Sequence, residues 1–296
     1  MDAKNIHTML VTSQKKFIVE PSRLHATECF LGRGIFNTDG LSWKQAHLAS
    51  KPIFARAQIS NLDILEERLD VLLAMIPHDG TTVNLLPLLK RLFLDTSTLL
   101  KTTKDRVSLR SQLLNIFLPA RDQTAIAAGN IFFNLARHPE VWNRLQNEVS
   151  NYDEPLTYES LKQMMYAKTI VNESLRILAP SGRSIRSCGE DCILPTGGGP
   201  DGIDPVLVVR GTEVNYIFRS MHLDKNLWGA DADEFRPERW EKLGTAQNRA
   251  YIPFSKGDRV CPAQQMVLNE CLYILVRVAK TFQILENRDP EERFVE

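Results

Sequence analysis

The chain has 296 residues, 43% of them hydrophobic and 8% aromatic, enough to bury a domain-sized core and too apolar for a disordered or fibrous class. Its 36 Lys and Arg balance 36 Asp and Glu, so there is no basic surplus of the kind that nucleic-acid phosphates require. No apolar run approaches the ~18 residues of a membrane-spanning helix and the first residues hold no signal-peptide core, so the sequence reads as a soluble chain.

Residues 1–40 are mixed in pattern and end in the turn-rich Phe36-Asn37-Thr38-Asp39-Gly40. Over 58–76, Ile59, Leu62, Leu65, Leu69, Leu72, Leu73 and Ile76 recur at helical spacing, which predicts an amphipathic helix. A second leucine-rich helix is expected over 83–100, followed by a polar run at 101–106. The long apolar stretch 109–136 predicts a helix that His138-Pro139 terminates, and another starts there with Val141, Leu145 and Val149 on one face. Leu156-Thr157-Tyr158-Glu159 resembles a helix start, and a further helix over 168–178 closes at Pro180.

From residue 183 the character changes. Ile193-Leu194 and Val206-Leu207-Val208-Val209 flank the turn-rich segment 195–202, as two strands of a hairpin would, and 213–218 suggests another strand. The triple glycine 197–199 lacks the Gly-Lys-Ser/Thr and the following helix of a phosphate loop. A loop with Trp228, Pro237 and Trp240 precedes the last helix. No repeat period is visible and no linker divides the chain, which reads as one mainly α domain, 1–296, with a small β region. Five cysteines (Cys29, Cys188, Cys192, Cys261 and Cys271) are too scattered for a disulfide framework, and Cys188 with Cys192 lacks the second ligand pair of a zinc site.

Chemistry concentrates in Phe254-Ser255-Lys256-Gly257-Asp258-Arg259-Val260-Cys261-Pro262-Ala263. Pro262 suits a first helical position, which would set Cys261 at a helix N-terminus where free N–H groups and the dipole favour a thiolate. Gly257 permits a positive φ or a tight approach of the loop to a flat ligand. Arg259 is placed to meet an acidic group on whatever the sulfur binds.

This segment resembles the haem-binding loop of the cytochrome P450 (haem-thiolate monooxygenase) superfamily, Phe-x-x-Gly-x-Arg-x-Cys-x-Gly, with Ala263 at the final small position. Further patterns agree in the order that the family requires. Glu173-Ser174-Leu175-Arg176 matches Glu-x-x-Arg on one helix face, and Arg239 within Phe235-Arg236-Pro237-Glu238-Arg239-Trp240 is the third charge of the family's lock. Trp43-Lys44-Gln45-Ala46-His47 resembles Trp-x-x-x-Arg, a haem-propionate clamp, with His47 as a weaker, pH-dependent donor. Arg186 matches a second propionate-binding arginine, and Arg259 is the third basic contact. Pro119-Ala120-Arg121-Asp122-Gln123-Thr124 stands where the family has Ala-Gly-x-Asp-Thr-Thr: Asp122 and Thr124 are kept, Ala120 fills the oxygen-pocket glycine and Gln123 replaces the proton-feeding Thr.

The resemblance implies a truncated cytochrome P450 fold, lacking the N-terminal anchor, the roof helices of the substrate cavity and the last β-hairpin, with the gap near 100–106. It also implies haem b with a Cys261 thiolate on its iron, electrons from NADPH through NADPH–cytochrome P450 reductase, dioxygen as co-substrate and no nucleic acid. Asp122, Gln123 and Thr124 would relay protons; Trp43, His47, Ala120, Arg186, Phe254, Gly257, Arg259, Cys261 and Ala263 would hold the cofactor. Family relatives sit on the cytoplasmic face of the endoplasmic reticulum membrane. The segments 195–202 and 211–233 are most similar to the fungal alkane and fatty-acid hydroxylases, which implies a small hydrophobic substrate. Two alternatives stay open: a haem binder without monooxygenase activity, suggested by Gln123, Ala120, Pro119 and the shortened helical region, and a cofactor-free helical interaction protein.

Overall fold

The protein, as a computed structural model, is described over residues 2–56, 60–96, 106–152 and 155–288. It is mainly helical with two small antiparallel sheets. The central element is the helix Arg106–Leu135, which continues through Pro119. Its second half buries Ala125, Ala127, Ala128, Ile131 and Leu135, small and large side chains that let neighbours pack closely. Around it lie Asp63–Ala74, Leu85–Thr96, Pro139–Ser150, Met165–Ile177 and Gln264–Thr281.

Each neighbour brings a stripe at helical spacing. Leu65, Leu69, Leu72 and Leu73 come from the first, Val141, Trp142, Leu145 and Val149 from Pro139–Ser150, and Cys271, Leu272, Ile274, Leu275, Val276 and Val278 from the last. At roughly 1.5–3 kcal/mol for each large side chain buried, this core dominates the drive to fold. Pro139 occupies the N-terminal turn of its helix, where a missing N–H costs nothing. Thr157 and Ser160 form a reciprocal capping box that starts Tyr158–Leu161.

Strands β1 (Phe17–Ile18), β2 (Arg183–Cys188) and β5 (Glu213–Ile217) form one sheet in the order β1-β2-β5, with Ile18 opposite Ser187 and Arg186 opposite Val214. Strands β3 (Cys192–Gly198) and β4 (Asp204–Val208) form the expected hairpin, with Ile193 opposite Leu207. A second core joins these sheets to the N-terminal segment through Ile6, Met9, Leu10, Leu194, Val208, Tyr216, Phe218 and Ile252. The triple glycine serves backbone approach: a Cβ on Gly198 would lie 2.4 Å from the Pro205 carbonyl oxygen.

Several expectations need correction. The region before residue 40, mixed in its sequence pattern, holds the unpredicted helix Glu20–Leu31, while Gly40–Ser50 follows the turn. Neither carried a readable apolar stripe, because the first buries no residue and the second buries only Ser50. Strand β2 was also unmarked, since Arg183-Ser184-Ile185-Arg186-Ser187 alternates no apolar side chains. The helix expected over 58–76 begins at Asp63, and 57–59 lie outside the described residues, as does the end of the one expected over 83–100. The last helix starts at Gln264, not Pro262: residues 261–264 form a turn in which the Gln264 N–H donates to the Cys261 carbonyl at 3.3 Å.

Candidate active site

A cavity of about 1180 Å³ lies between the central helix, the N-terminal half of the last helix, the helix Gly40–Ser50 and strands β2 and β5. Cys261 lines it from one side and Ala120, Asp122, Gln123 and Thr124 from the central helix. Of the residues expected to hold a cofactor, Trp43, His47, Arg186, Phe254, Arg259 and Ala263 line it as well.

The loop that carries Cys261 is held by its own backbone. The Cys261 N–H donates to the Phe254 carbonyl at 2.9 Å, and the N–H groups of Ala263 and Gln264 face the sulfur. Burial pushes the thiol's pKa up, and those two N–H groups draw it part of the way back. The expected thiolate stabilisation by the helix end is thus present but outweighed, and the metal-free sulfur is a thiol; a coordinated metal would deprotonate it. Gly257 has the positive φ that its place in the loop suggested, at 71°, but does not line the cavity: a Cβ there would collide with the Leu10 carbonyl oxygen, so the close approach is to the N-terminal segment.

Behind the loop, Glu173, Arg176 and Arg239 meet as expected. Glu173 and Arg176 have no exposed surface. Arg176 forks both carboxylate oxygens through Nε and Nη2 at 2.9 Å, and Arg239 Nε donates to Oε1 at 3.1 Å. Two further donors escaped the sequence reading: Trp240 Nε1 at 2.9 Å and the Arg236 N–H at 3.0 Å. Asp231, also unpredicted, pairs with Arg239 at 3.3 Å. Five donors on one carboxylate are what a fully buried charge needs to be tolerated.

One edge of the cavity is strongly basic. Arg259 lies 4.4 Å above the Trp43 ring, which stacks on His47 at 5.0 Å. Arg259 also donates to the Thr38 carbonyl at 2.8 Å and pairs with Asp39 at 2.5 Å. Burial first, and then Arg186 and Arg23, push its pKa down to about 10 against the opposing pull of Asp39. Arg23 is shifted down likewise, by burial and by Arg186, so three guanidinium groups crowd one edge. Tyr216 Oη is buried beside Arg186 with no hydrogen-bond partner among the described residues. Burial, Lys51 and Arg259 lower the pKa of His47, so at neutral pH it is an uncharged imidazole and not the cationic clamp of the expected motif.

Arg23, Asp39 and Tyr216 were not identified from sequence. The signal for Asp39 was its place just before the helix Gly40–Ser50, an N-cap position. Its carboxylate instead accepts the Val19 and Glu20 N–H groups at 2.9 and 2.7 Å, capping the preceding helix from a distance. Arg23 and Tyr216 had no such signal.

On the central helix Thr124 is buried, Asp122 is half-buried and Gln123 is open to the cavity. The carboxylate of Asp122 lies 3.9 Å from both Lys90 and Arg121. The wall nearby is apolar, with Ile53, Phe54, Leu62, Leu65, Leu114 and Leu118.

These residues would fit a flat anionic macrocycle: crowded guanidinium groups and a buried phenol at one edge, a partly buried sulfur, and a polar helix segment facing the same space. A mainly helical fold with that arrangement defines the haem-thiolate class of oxidoreductases. Residues 89–295 match the family Cytochrome P450. The chain is 31% identical to cytochrome P450 monooxygenase iccC of Talaromyces variabilis over 97% of its own length and 76% of that protein. It is 31% identical to himC of Aspergillus japonicus (98% and 69%) and 30% identical to iliC of Hypocrea jecorina (98% and 86%), both cytochrome P450 monooxygenases. The chain belongs to the cytochrome P450 family. Its alignment with iccC spans 383 positions against 296 residues here, so that relative carries internal residues that this chain lacks. Among the described residues no helix is long and apolar enough to cross a membrane.

Proposed function

We propose that this chain is a haem-thiolate monooxygenase that hydroxylates a hydrophobic small molecule of the alkane or fatty-acid class. The observation that carries the reading is the placement of the Cys261 sulfur, with two backbone N–H groups turned to it, in the same cavity as Asp122 and Thr124. Haem b, when bound, supplies the chemistry that reduces dioxygen and inserts one of its oxygen atoms into a C–H bond.

The remaining tasks fall to this chain. With haem bound, Cys261 would supply the sulfur that holds its iron, and the N–H groups of Ala263 and Gln264 would temper the electron density on that sulfur. Arg23, Arg186, Arg259 and Tyr216 would hold the anionic groups of the cofactor, with Trp43 packed against Arg259 and His47 stacked on Trp43. Phe254, Ala263 and Ala120 line the same cavity and would bound the space that the cofactor and substrate share. Asp122, loosely paired and reachable from solvent, takes up a proton at its carboxylate and passes it toward the Thr124 hydroxyl. An amide cannot release a proton as a hydroxyl chain does, so Gln123 acts by orienting a water between the two. The apolar wall favours an alkyl chain and excludes water. Electrons come from NADPH through NADPH–cytochrome P450 reductase.

The reduced protein under carbon monoxide is expected to show the red-shifted Soret band of thiolate ligation, and turnover with reductase, NADPH and a fatty acid is expected to give a hydroxylated product. A histidine-type spectrum would refute the ligand, and NADPH consumed to peroxide alone would refute the hydroxylase. The latter outcome would leave haem binding without monooxygenase activity, a reading that Gln123 favours.

A further inference from the structure

His222 ends the short helix Phe218–His222 and is completely buried. Its ring touches two separate parts of the molecule. Nδ1 lies 3.2 Å from the carbonyl of Arg176, and Nε2 lies 3.0 Å from the backbone nitrogen of Ile252. The His222 carbonyl in turn accepts from Arg176 Nη1 at 2.6 Å. A backbone amide can only donate, so Nε2 must present its lone pair to Ile252. That fixes the neutral tautomer, with the proton on Nδ1 donated to Arg176. Phe218 and Tyr251 wall the ring at centroid distances of 5.8 and 5.6 Å.

We propose that His222 is a positioning residue, whose neutral Nδ1–H ring couples the Glu173–Arg176–Arg239 lock to the loop bearing Cys261 and so sets the place of the sulfur. The consequence for the sulfur rests on the haem-thiolate reading above; the coupling itself rests on hydrogen bonds. Arg176 is immobilised by Glu173 and by the carbonyls of His222 and Ala232. From Arg176 the ring carries that constraint to Ile252. Two residues further on, the Phe254 carbonyl holds the Cys261 N–H at 2.9 Å. The lock therefore reaches the ligand through one imidazole and one short stretch of backbone.

The same geometry makes the link sensitive to protonation. A proton on Nε2 would set donor against donor at Ile252, and the ring would turn that N–H to the Ala250 carbonyl, which also faces it. The titratable groups beside the ring are the Arg176 guanidinium and the Tyr251 phenol; the charge of Glu173 is engaged by Arg176 and Arg239. Burial, reinforced by the charge of Arg176, holds the ring's pKa down to about 4, so the link is intact at neutral pH.

The test compares wild type, His222→Gln and His222→Phe. Gln can accept from Ile252 through Oε1 and cannot titrate; Phe keeps the bulk and makes neither bond. Two quantities are read: hydrogen exchange over 250–263, with and without haem, and the fraction of the thiolate-type Soret band in the reduced, carbon monoxide-bound protein as a function of pH. His222→Phe is expected to speed exchange at Ile252 by about tenfold or more, and to lower the thiolate fraction, with His222→Gln recovering most of both. Wild type is expected to lose the thiolate band in a step near pH 4 that is missing from His222→Gln. Unchanged exchange in His222→Phe, or an identical acid step in His222→Gln, overturns the proposal. If His222→Phe does not fold, the acid profiles of the other two decide. If exchange responds as expected but even wild type never shows the thiolate band, the haem reading has failed and the coupling to the 250–263 loop stands.

Discussion

The two walls of the cavity are built by opposite means. Behind Cys261, every charge is paired several times over: Glu173 receives five donors, and Arg176 serves Glu173 and three backbone carbonyls. On the central helix, Asp122 has two cations at 3.9 Å, and no side-chain hydrogen bond joins it to Gln123 or Thr124 among the described residues. Under the proposed function the first wall holds one atom still, with buried charge locked in a network that strands a partner when any member is lost. The second would exchange protons and admit substrate, a task suited to groups with few fixed partners. Dense pairing and sparse pairing are thus divided between two faces of one cavity.

The largest expected effect comes from the sulfur. Cys261→Ala should abolish the thiolate-type carbon monoxide spectrum while leaving the far-ultraviolet circular dichroism unchanged; retention of the band would break the comparison at its root. Next, Glu173→Ala leaves Arg176 buried without its counter-ion and Arg239 with Asp231 alone, and should cost about 3–5 kcal/mol of stability, read from denaturant unfolding. Glu159→Ala, whose partners Arg56 and Lys162 are exposed, should leave the unfolding midpoint almost unchanged.

Acid sensitivity sharpens the same contrast. His222 has a folded pKa of about 4 against an ordinary value of 6.5, so between those pH values the unfolded chain binds the extra proton. Its contribution is complete above pH 6.5 and is lost as the pH falls toward 4, amounting to about 3 kcal/mol. His222→Gln should flatten that part of the stability–pH curve. At the basic edge, Arg186→Leu should weaken haem affinity by about tenfold to a hundredfold, the worth of a charge-assisted contact of ~1.5–3 kcal/mol, seen by haem transfer to an acceptor protein. The smallest change is expected on the sparsely paired wall: Gln123→Thr should raise product formed per NADPH by about tenfold or less, a modest share of what a positioned proton donor contributes. No change there would remove Gln123 from the relay.

Much of this was legible before any coordinates. Helices that face the main core were marked by leucine and valine stripes, as over Pro139–Ser150 and Gln264–Thr281. Those that border the cavity, Glu20–Leu31 and Gly40–Ser50, bury almost nothing and so left no periodic trace. The same holds within the site. Cys261, Arg259 and Glu173-x-x-Arg176 sit in local patterns, whereas Arg23, Tyr216 and His222 act through partners far along the chain.

The sequence alone determined which residue patterns the proposed site is built from: a cysteine in a Gly/Arg loop, a Glu–Arg pair one helical turn apart, and an acidic–hydroxyl segment within an apolar helix. Their spacing is a property of the chain, and helical geometry converts it directly into shared faces. Only the tertiary structure decided their charge states and couplings. Burial neutralises His47 and His222, raises the Cys261 thiol, and brings three arginines to one edge. Desolvation and long-range pairing depend on what folds against each group, and no local pattern records that.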